Sequence, residues 1–151
     1  MDNKNLSVVQ YMEGDQMLAV SFMEMGEDYM SSEPPELSEK FLKSILELQG
    51  EPDRWLYFLQ MEGHPVGFTH IKGDKTDRPG WGWILEFYIK PEYRRRGWGR
   101  YLYTESTRQF KERCNQWLTS NPEAIPFWKA LGFHETGEIA DNSYRVMIKT
   151  V

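Results

Sequence analysis

Residues 84–100 read ILEFYIKPEYRRRGWGR, a succession of apolar strand, stop, basic loop and helix start. Trp81 to Ile89 is a long apolar run interrupted by Glu86 and has the look of a central strand. Pro91 ends it, since proline cannot donate to a strand ladder. Gly97 and Gly99 then open a predicted helix to about Arg113, with Trp98, Leu102, Glu105 and Phe110 roughly sharing faces. A helix that begins straight out of such a loop leaves its first N–H groups without intrahelical partners. The helix dipole and these amides favour an anion, and glycine lets the backbone approach it closely. Arg94, Arg95 and Arg96 add charge-assisted bonds suited to phosphate oxygens. No Gly-Lys-Ser/Thr follows, so this is not a Walker A loop, and hydrolysis of a nucleoside triphosphate is not indicated.

Working outward, Leu6 to Gln10 is predicted as a first strand, with Gly14–Asp15 as the turn before a helix. Met17, Val20, Ser21 and Met25 approximate a helical stripe ending near Gly26. A polar, proline-containing loop spans Met30 to Glu36. Leu37, Phe41, Leu42, Ile45, Leu46 and Leu48 return to helical spacing until Gly50 and Pro52. Trp55–Met61 and Val66–Ile71 read as a β-hairpin across residues 62–65, followed by a turn-rich connection from Gly73 to Gly80. Beyond the basic loop, Gln116–Thr119 is a short strand and Pro122 starts a helix that ends at Gly132. Phe133–Glu138 and Ser143–Ile148 form a closing strand pair. With no repeat, low-complexity tract or linker, residues 1–151 are expected to form a single domain of α/β (α+β) class.

The composition, 40% apolar and 27% charged, is that of a globular chain, and no run approaches the roughly 18 apolar residues of a membrane span. The N-terminus lacks the basic stretch and long apolar run of a secretory signal. A single cysteine, Cys114, precludes an internal disulfide, so a cytoplasmic location is the expectation. The net charge of −5 conceals a reversal along the chain: residues 90–113 carry eight Lys or Arg against Glu92, Glu105 and Glu112. An acidic protein is poorly suited to nucleic acid, whereas a compact basic cluster suits a small polyanion such as a pyrophosphate. His64, His70 and His134 lack metal-ligand spacing, and no metal is expected.

Arg94, Gly97 and Gly99 match the Arg/Gln-x-x-Gly-x-Gly/Ala loop of the GNAT superfamily of N-acetyltransferases, and the chain resembles that family. The preceding LEFYIKPEYR is similar to the family's strand ending V-x-P-x-Y-R. A second block, NPEAIPFWKALGF from Asn121 to Phe133, resembles its Asn-x-x-Ala-x-x-Phe-Tyr-x-x-x-Gly-Phe segment. The resemblance covers most of the chain. It implies a mixed, mostly antiparallel sheet of six to seven strands, splayed between strands 4 and 5 and flanked by about four helices.

It also implies acetyl-coenzyme A as cosubstrate. Phe87, Tyr88 and Ile89 would face the pantetheine arm. Amides from Arg95 through Arg96, Gly97, Trp98 and Gly99 to Arg100 would hold the pyrophosphate beside Arg94. Asn121 would contact the pantetheine, and Phe127 and Trp128 would lie near the cofactor. The implied partner is an amine-bearing acceptor, with neither nucleic acid nor membrane, and homodimers are common in the family.

Acetyl transfer needs a deprotonated amine, a polarised thioester and a proton for the leaving thiolate. Glu86 is the candidate base, because burial in an apolar strand raises a carboxyl's pKa; resembling proteins often carry a glutamate there. Trp128 departs from the pattern, standing where a tyrosine often protonates the thiolate. Either another group or water then protonates the sulfur; Tyr144, Tyr103 and Tyr88 are the possible donors, with nothing in the spacing to choose among them, and Tyr144 is carried as the catalytic candidate. Cys114 lies in no motif and reads as structural, and His70 is a minor candidate for the acceptor cleft. Glu24, Glu27, Asp28, Glu33 and Glu36 would attract a cationic acceptor, and Trp81 and Trp83 would offer rings for stacking or cation–π contact. The leading expectation is an N-acetyltransferase acting directly on a small-molecule amine. The alternatives are a protein or peptide N-acetyltransferase and a non-catalytic acetyl-coenzyme A-binding regulatory module.

Overall fold

A computed structural model of the chain describes residues 5–109 and 114–151. Among these are seven strands, β1 (Leu6–Gln10), β2 (Arg54–Met61), β3 (His64–Gly73), β4 (Gly82–Ile89), β5 (Gln116–Ser120), β6 (His134–Ile139) and β7 (Arg145–Lys149). Four α-helices accompany them: α1 (Gln16–Tyr29), α2 (Pro35–Glu47), α3 (Trp98–Gln109) and α4 (Ile125–Ala130). The strands form one mixed sheet in the order β1-β2-β3-β4-β5-β7-β6, with β4 and β5 parallel through Gly82–Gln116 and Trp83–Trp117. This is the expected GNAT-like α/β architecture. The predicted helix end, including Phe110, lies outside the described residues. Two compact units emerge, one of 5–70 with Glu86–Gln109, the other of Ile71–Leu85 with 114–151.

In the first unit, β1 and β2 pair antiparallel from Leu6–Met61 to Gln10–Tyr57. One sheet face meets α1 and α2 through Tyr11, Leu56, Phe58, Phe68 and Tyr88. The other packs Leu6, Leu59, Val66 and Ile89 against Trp98 and Leu102 of α3. Asp15 caps α1 by accepting the Leu18 amide at 3.1 Å. The predicted stripe on α1 is corrected: Leu18, Phe22, Met25 and Gly26 are buried, while Met17 and Val20 are 60% and 58% exposed. Phe22 decides this rotation, since its ring is wholly buried against Phe58 and Phe68 at centroid distances of 6.1 and 4.9 Å. The helix also runs past Gly26 to Tyr29. On α2, Ser38, Leu42 and Ile45 face inward, leaving the expected core residues Leu37 and Phe41 exposed. A Cβ on Gly67 would stand 2.6 Å from the Tyr88 carbonyl oxygen, so β3 and β4 approach there only with glycine.

The second unit pairs β5 with β7 and β7 with β6, all antiparallel, over a core of Trp117, Leu118, Trp128, Leu131, Phe133, Val146 and Met147. The residues opening the predicted helix at Pro122 form a 3-10 turn, and α4 begins at Ile125. The connection after β3 is organised by buried Asp74, which accepts the amides of Thr76, Asp77 and Arg78 and the Trp117 indole N–H. Burial alone would raise the Asp74 carboxyl, but these donors outweigh it and hold it below the usual carboxylate value. A carboxyl depressed in this way stabilises the fold above its unfolded pKa, and that stability is lost as pH falls through the folded one. Asp74→Ala, which strands the buried indole N–H and the turn amides, should cost about 2–4 kcal/mol at neutral pH. Urea denaturation at pH 7 and pH 3 checks this, and the variant should differ less from the parent at the lower pH.

Candidate active site

Between β4 and α3, Lys90 and Pro91–Tyr93 form a 3-10 turn that hands the chain to the basic loop. Arg95 has φ +63° and Gly97 φ +80°, so two left-handed residues fold this loop back on itself. Such turns direct successive amides toward one side, and the start of α3 adds its own first-turn N–H groups. At the start of α3 the Tyr101 amide donates to the Gly97 carbonyl at 3.2 Å. A Cβ on Gly97 would meet nothing within 4 Å, so its glycine is required by backbone conformation and leaves open space above the loop.

The arginines divide their work. Arg94 Nε donates to the Ile89 carbonyl at 2.7 Å, and its guanidinium lies 5.5 Å from the Tyr88 ring centre. Arg96 covers the stacked pair Tyr93 and Trp98, 5.5 and 5.4 Å from their ring centres. Trp98 is buried, its indole N–H without a hydrogen-bond partner, whereas Arg95 and Arg100 are exposed at the loop and the first turn of α3.

On β4, alternation sends Phe87 and Ile89 toward α3 and Glu86 and Tyr88 toward α1. Two reciprocal hydrogen bonds join α1 to this strand. The Tyr29 hydroxyl donates to Glu86 Oε2 at 2.6 Å, and the Tyr88 hydroxyl donates to Asp28 Oδ2. Tyr29, Phe68 and Tyr88 pack together with centroid separations of 5.5 to 5.8 Å. Burial pushes the Glu86 carboxyl up to about 7, with the Tyr29 hydrogen bond pulling the other way. Burial, reinforced by the bond to Asp28, likewise raises the Tyr88 phenol. Sequence reasoning overlooked Tyr29. The signal was present in the spacing 18, 22, 25, 29, which continues the buried stripe of α1 by one more turn.

The other predicted residues are placed as follows. Asn121 caps a 3-10 turn, its Oδ1 accepting the Ala124 amide at 2.9 Å. Phe127 is half-buried on α4, and Trp128 is buried edge-on against Phe127 and Phe133. Tyr144 is 37% exposed in the β6–β7 connection, and Tyr103 is buried on α3. His70 is buried on β3, its Nε2 3.4 Å from Arg54. Glu24, Glu27, Asp28, Glu33 and Glu36 are exposed. Trp83 stacks on Trp117, and the cation over Trp81 and Trp117 is the chain's own Arg78, at 5.7 and 4.8 Å. Cys114 is half-buried close to Gly82. No group of three or more potential ligands is placed to hold a metal among the described residues, and none of their helices is long and apolar enough to cross a membrane.

The family model for the acetyltransferase (GNAT) family matches residues 22–133. No curated protein sequence matches the chain. Among solved structures, the chain is similar to an acetyltransferase from Thermus thermophilus, with a TM-score of 0.78, 18% identity and all of both chains covered. It is similar to the PaiA N-acetyltransferase of Thermoplasma acidophilum in complex with coenzyme A, with a TM-score of 0.71, 20% identity, and 97% of this chain and 99% of that one covered. An aminoglycoside 6′-N-acetyltransferase complexed with coenzyme A gives a TM-score of 0.78 at 12% identity, covering 95% of this chain and 96% of that one.

A carboxyl raised in the folded state binds its proton more tightly there than in the unfolded chain. Its contribution to stability is therefore full below the unfolded value near 4.5 and is lost as pH rises through about 7. Glu86→Gln should remove that loss, gaining up to ~3 kcal/mol over the parent at pH 8 and little at pH 4.5. Paired denaturation curves at the two pH values measure the difference.

Proposed function

The chain belongs to the acetyltransferase (GNAT) family, and on that premise we propose that it transfers the acetyl group of acetyl-coenzyme A directly to a primary amine of a small molecule. The observation that carries this reading is Glu86, a carboxyl raised to about 7 and held by Tyr29 on the strand that leads into the basic loop. A base of that strength is half ionised near neutral pH and is matched to an amine's proton. The loop fits a pyrophosphate by its two left-handed residues, its helix start, its exposed arginines and the open space at Gly97.

In this reading the amides from Arg95 to Arg100 hold the pyrophosphate with Arg94 alongside, and Phe87, Tyr88 and Ile89 meet the pantetheine by strand-like pairing. Asn121, Phe127 and Trp128 are assigned to the same cofactor on the strength of the family segment they match. Bound acetyl-coenzyme A supplies the activated thioester. Glu86 accepts the proton that the amine nitrogen sheds as its new bond to the acetyl carbon forms, and the carbon–sulfur bond breaks to release coenzyme A. Tyr144, the candidate carried from the sequence, is the donor we assign to the departing sulfur; of the alternatives, Tyr88 is bonded to Asp28 and Tyr103 is buried. Two of the similar structures, an aminoglycoside 6′-N-acetyltransferase and a PaiA N-acetyltransferase, support an amine acceptor by their names.

Trp128 favours a second reading, a module that binds acetyl-coenzyme A without efficient transfer, since an indole N–H is no useful acid. Acetyl-coenzyme A at about 100 times its Kd should stabilise the protein by about 2.7 kcal/mol, and Gly97→Asp, which puts a carboxylate in the anion's place, should abolish the shift. No change in Tm at millimolar acetyl-coenzyme A would sink the cofactor assignment. A panel of small amines, an aminoglycoside and a lysine peptide then tests transfer, with Glu86→Gln expected to slow it about 10²–10⁴-fold. Binding without turnover of any amine would favour the module, and turnover of the peptide alone would move the acceptor to proteins.

A further inference from the structure

The Tyr29 hydroxyl bonds the Glu86 carboxylate directly. We propose that Tyr29 is a positioning residue for this carboxylate: its hydroxyl holds Oε2, fixes the side chain's direction and makes Oε1 the oxygen that takes the amine's proton. The inference rests on the assignment of Glu86 as base.

The geometry is reciprocal. Adjacent residues of α1, Asp28 and Tyr29, bond to alternate residues of β4, Tyr88 and Glu86, with an acid and a phenol exchanged between the two elements. The Tyr29 ring packs edge-on against Phe68 and Tyr88 at 5.6 and 5.8 Å, so ring packing and hydrogen bond jointly set where the hydroxyl stands. Among the described residues, several nearby polar groups bond elsewhere. Asp28 accepts from Tyr88, Arg94 is bonded to the Ile89 carbonyl, and the Thr69 hydroxyl donates to the Glu86 carbonyl rather than its carboxylate. His70, on the same face of β3 as Phe68, meets Arg54 of β2. Of the hydrogen bonds to Glu86, the one from Tyr29 opposes the effect of burial on its proton affinity.

Tyr29→Phe keeps the ring and deletes the donor, and its effect has a diagnostic sign. Losing a hydrogen bond to the ionised form raises a carboxyl's pKa, whereas loosening α1 would admit water and lower it toward the ordinary value. The test is a ¹³C carboxyl NMR titration of Glu86 in the parent, Tyr29→Phe and Asp28→Asn. It is paired with the pH dependence of kcat/KM for the amine turned over fastest in the panel. The Glu86 midpoint should rise by roughly one unit in Tyr29→Phe, and it should not rise in Asp28→Asn. The acid limb of kcat/KM should move with it, with the KM for acetyl-coenzyme A unchanged. A midpoint that stays or falls in Tyr29→Phe overturns the role of Tyr29 while leaving the assignment of Glu86 intact. A midpoint that rises while the rate profile stays fixed shows instead that Glu86 is not the base, and the catalytic role of Tyr29 falls with it.

Discussion

The packing of Phe22 between Phe58 and Phe68 sets the rotation of α1 on the sheet, and the chemistry of the first unit follows from that rotation. With Phe22 inward, Leu18 and Met25 are inward too, and the next position along the stripe is Tyr29. A helix rotated by one residue would bring Asp28 or Met30 to β4 in its place. A carboxylate would then face a carboxylate, or a thioether that cannot donate, and the cost of burying Glu86 would go uncompensated. Apolar packing thus decides which polar group meets the half-buried acid.

The same strand serves two environments because its side chains alternate. Glu86 and Tyr88 look toward α1, while Phe87 and Ile89 pack toward α3, which begins at the basic loop. Arg94 ties the loop back to the strand through the Ile89 carbonyl and lies over the Tyr88 ring, whose hydroxyl in turn reaches Asp28. A continuous set of contacts therefore runs from the loop to the end of α1, all within one unit. Arg96 lies over the Tyr93–Trp98 stack, which fixes where its charge stands beside the loop.

In the second unit, aromatic side chains serve structure. Trp117 is held on one side by Trp83, on another by Arg78 and at its N–H by Asp74, with Arg78 also paired to Glu138 at 2.8 Å. Of the rings that looked available for a cationic acceptor, Trp81 already carries Arg78 and Trp83 is stacked on Trp117. Trp128 is likewise buried, edge-on to Phe133.

What the sequence determined by itself was local and periodic. The order of strands and helices, the hairpin, the strand–loop–helix passage through Gly97 and the apolar setting of Glu86 all depend on neighbours in the chain, and the family blocks are contiguous. Which residues of each stripe turn inward was legible only in part: Met25, Leu42 and Ile45 are buried as the spacing predicts, whereas Met17, Val20, Leu37 and Phe41 are exposed although comparably apolar to buried Leu18 and Phe22. Only the tertiary structure could choose, since the choice lies in how Phe22 fits between two rings that lie far along the chain from it. The pairing of Tyr29 with Glu86, 57 positions apart, depends on that fit. A sequence can say that an acid will be buried, but its hydrogen-bond partner is decided by the packing that brings distant side chains to the same place.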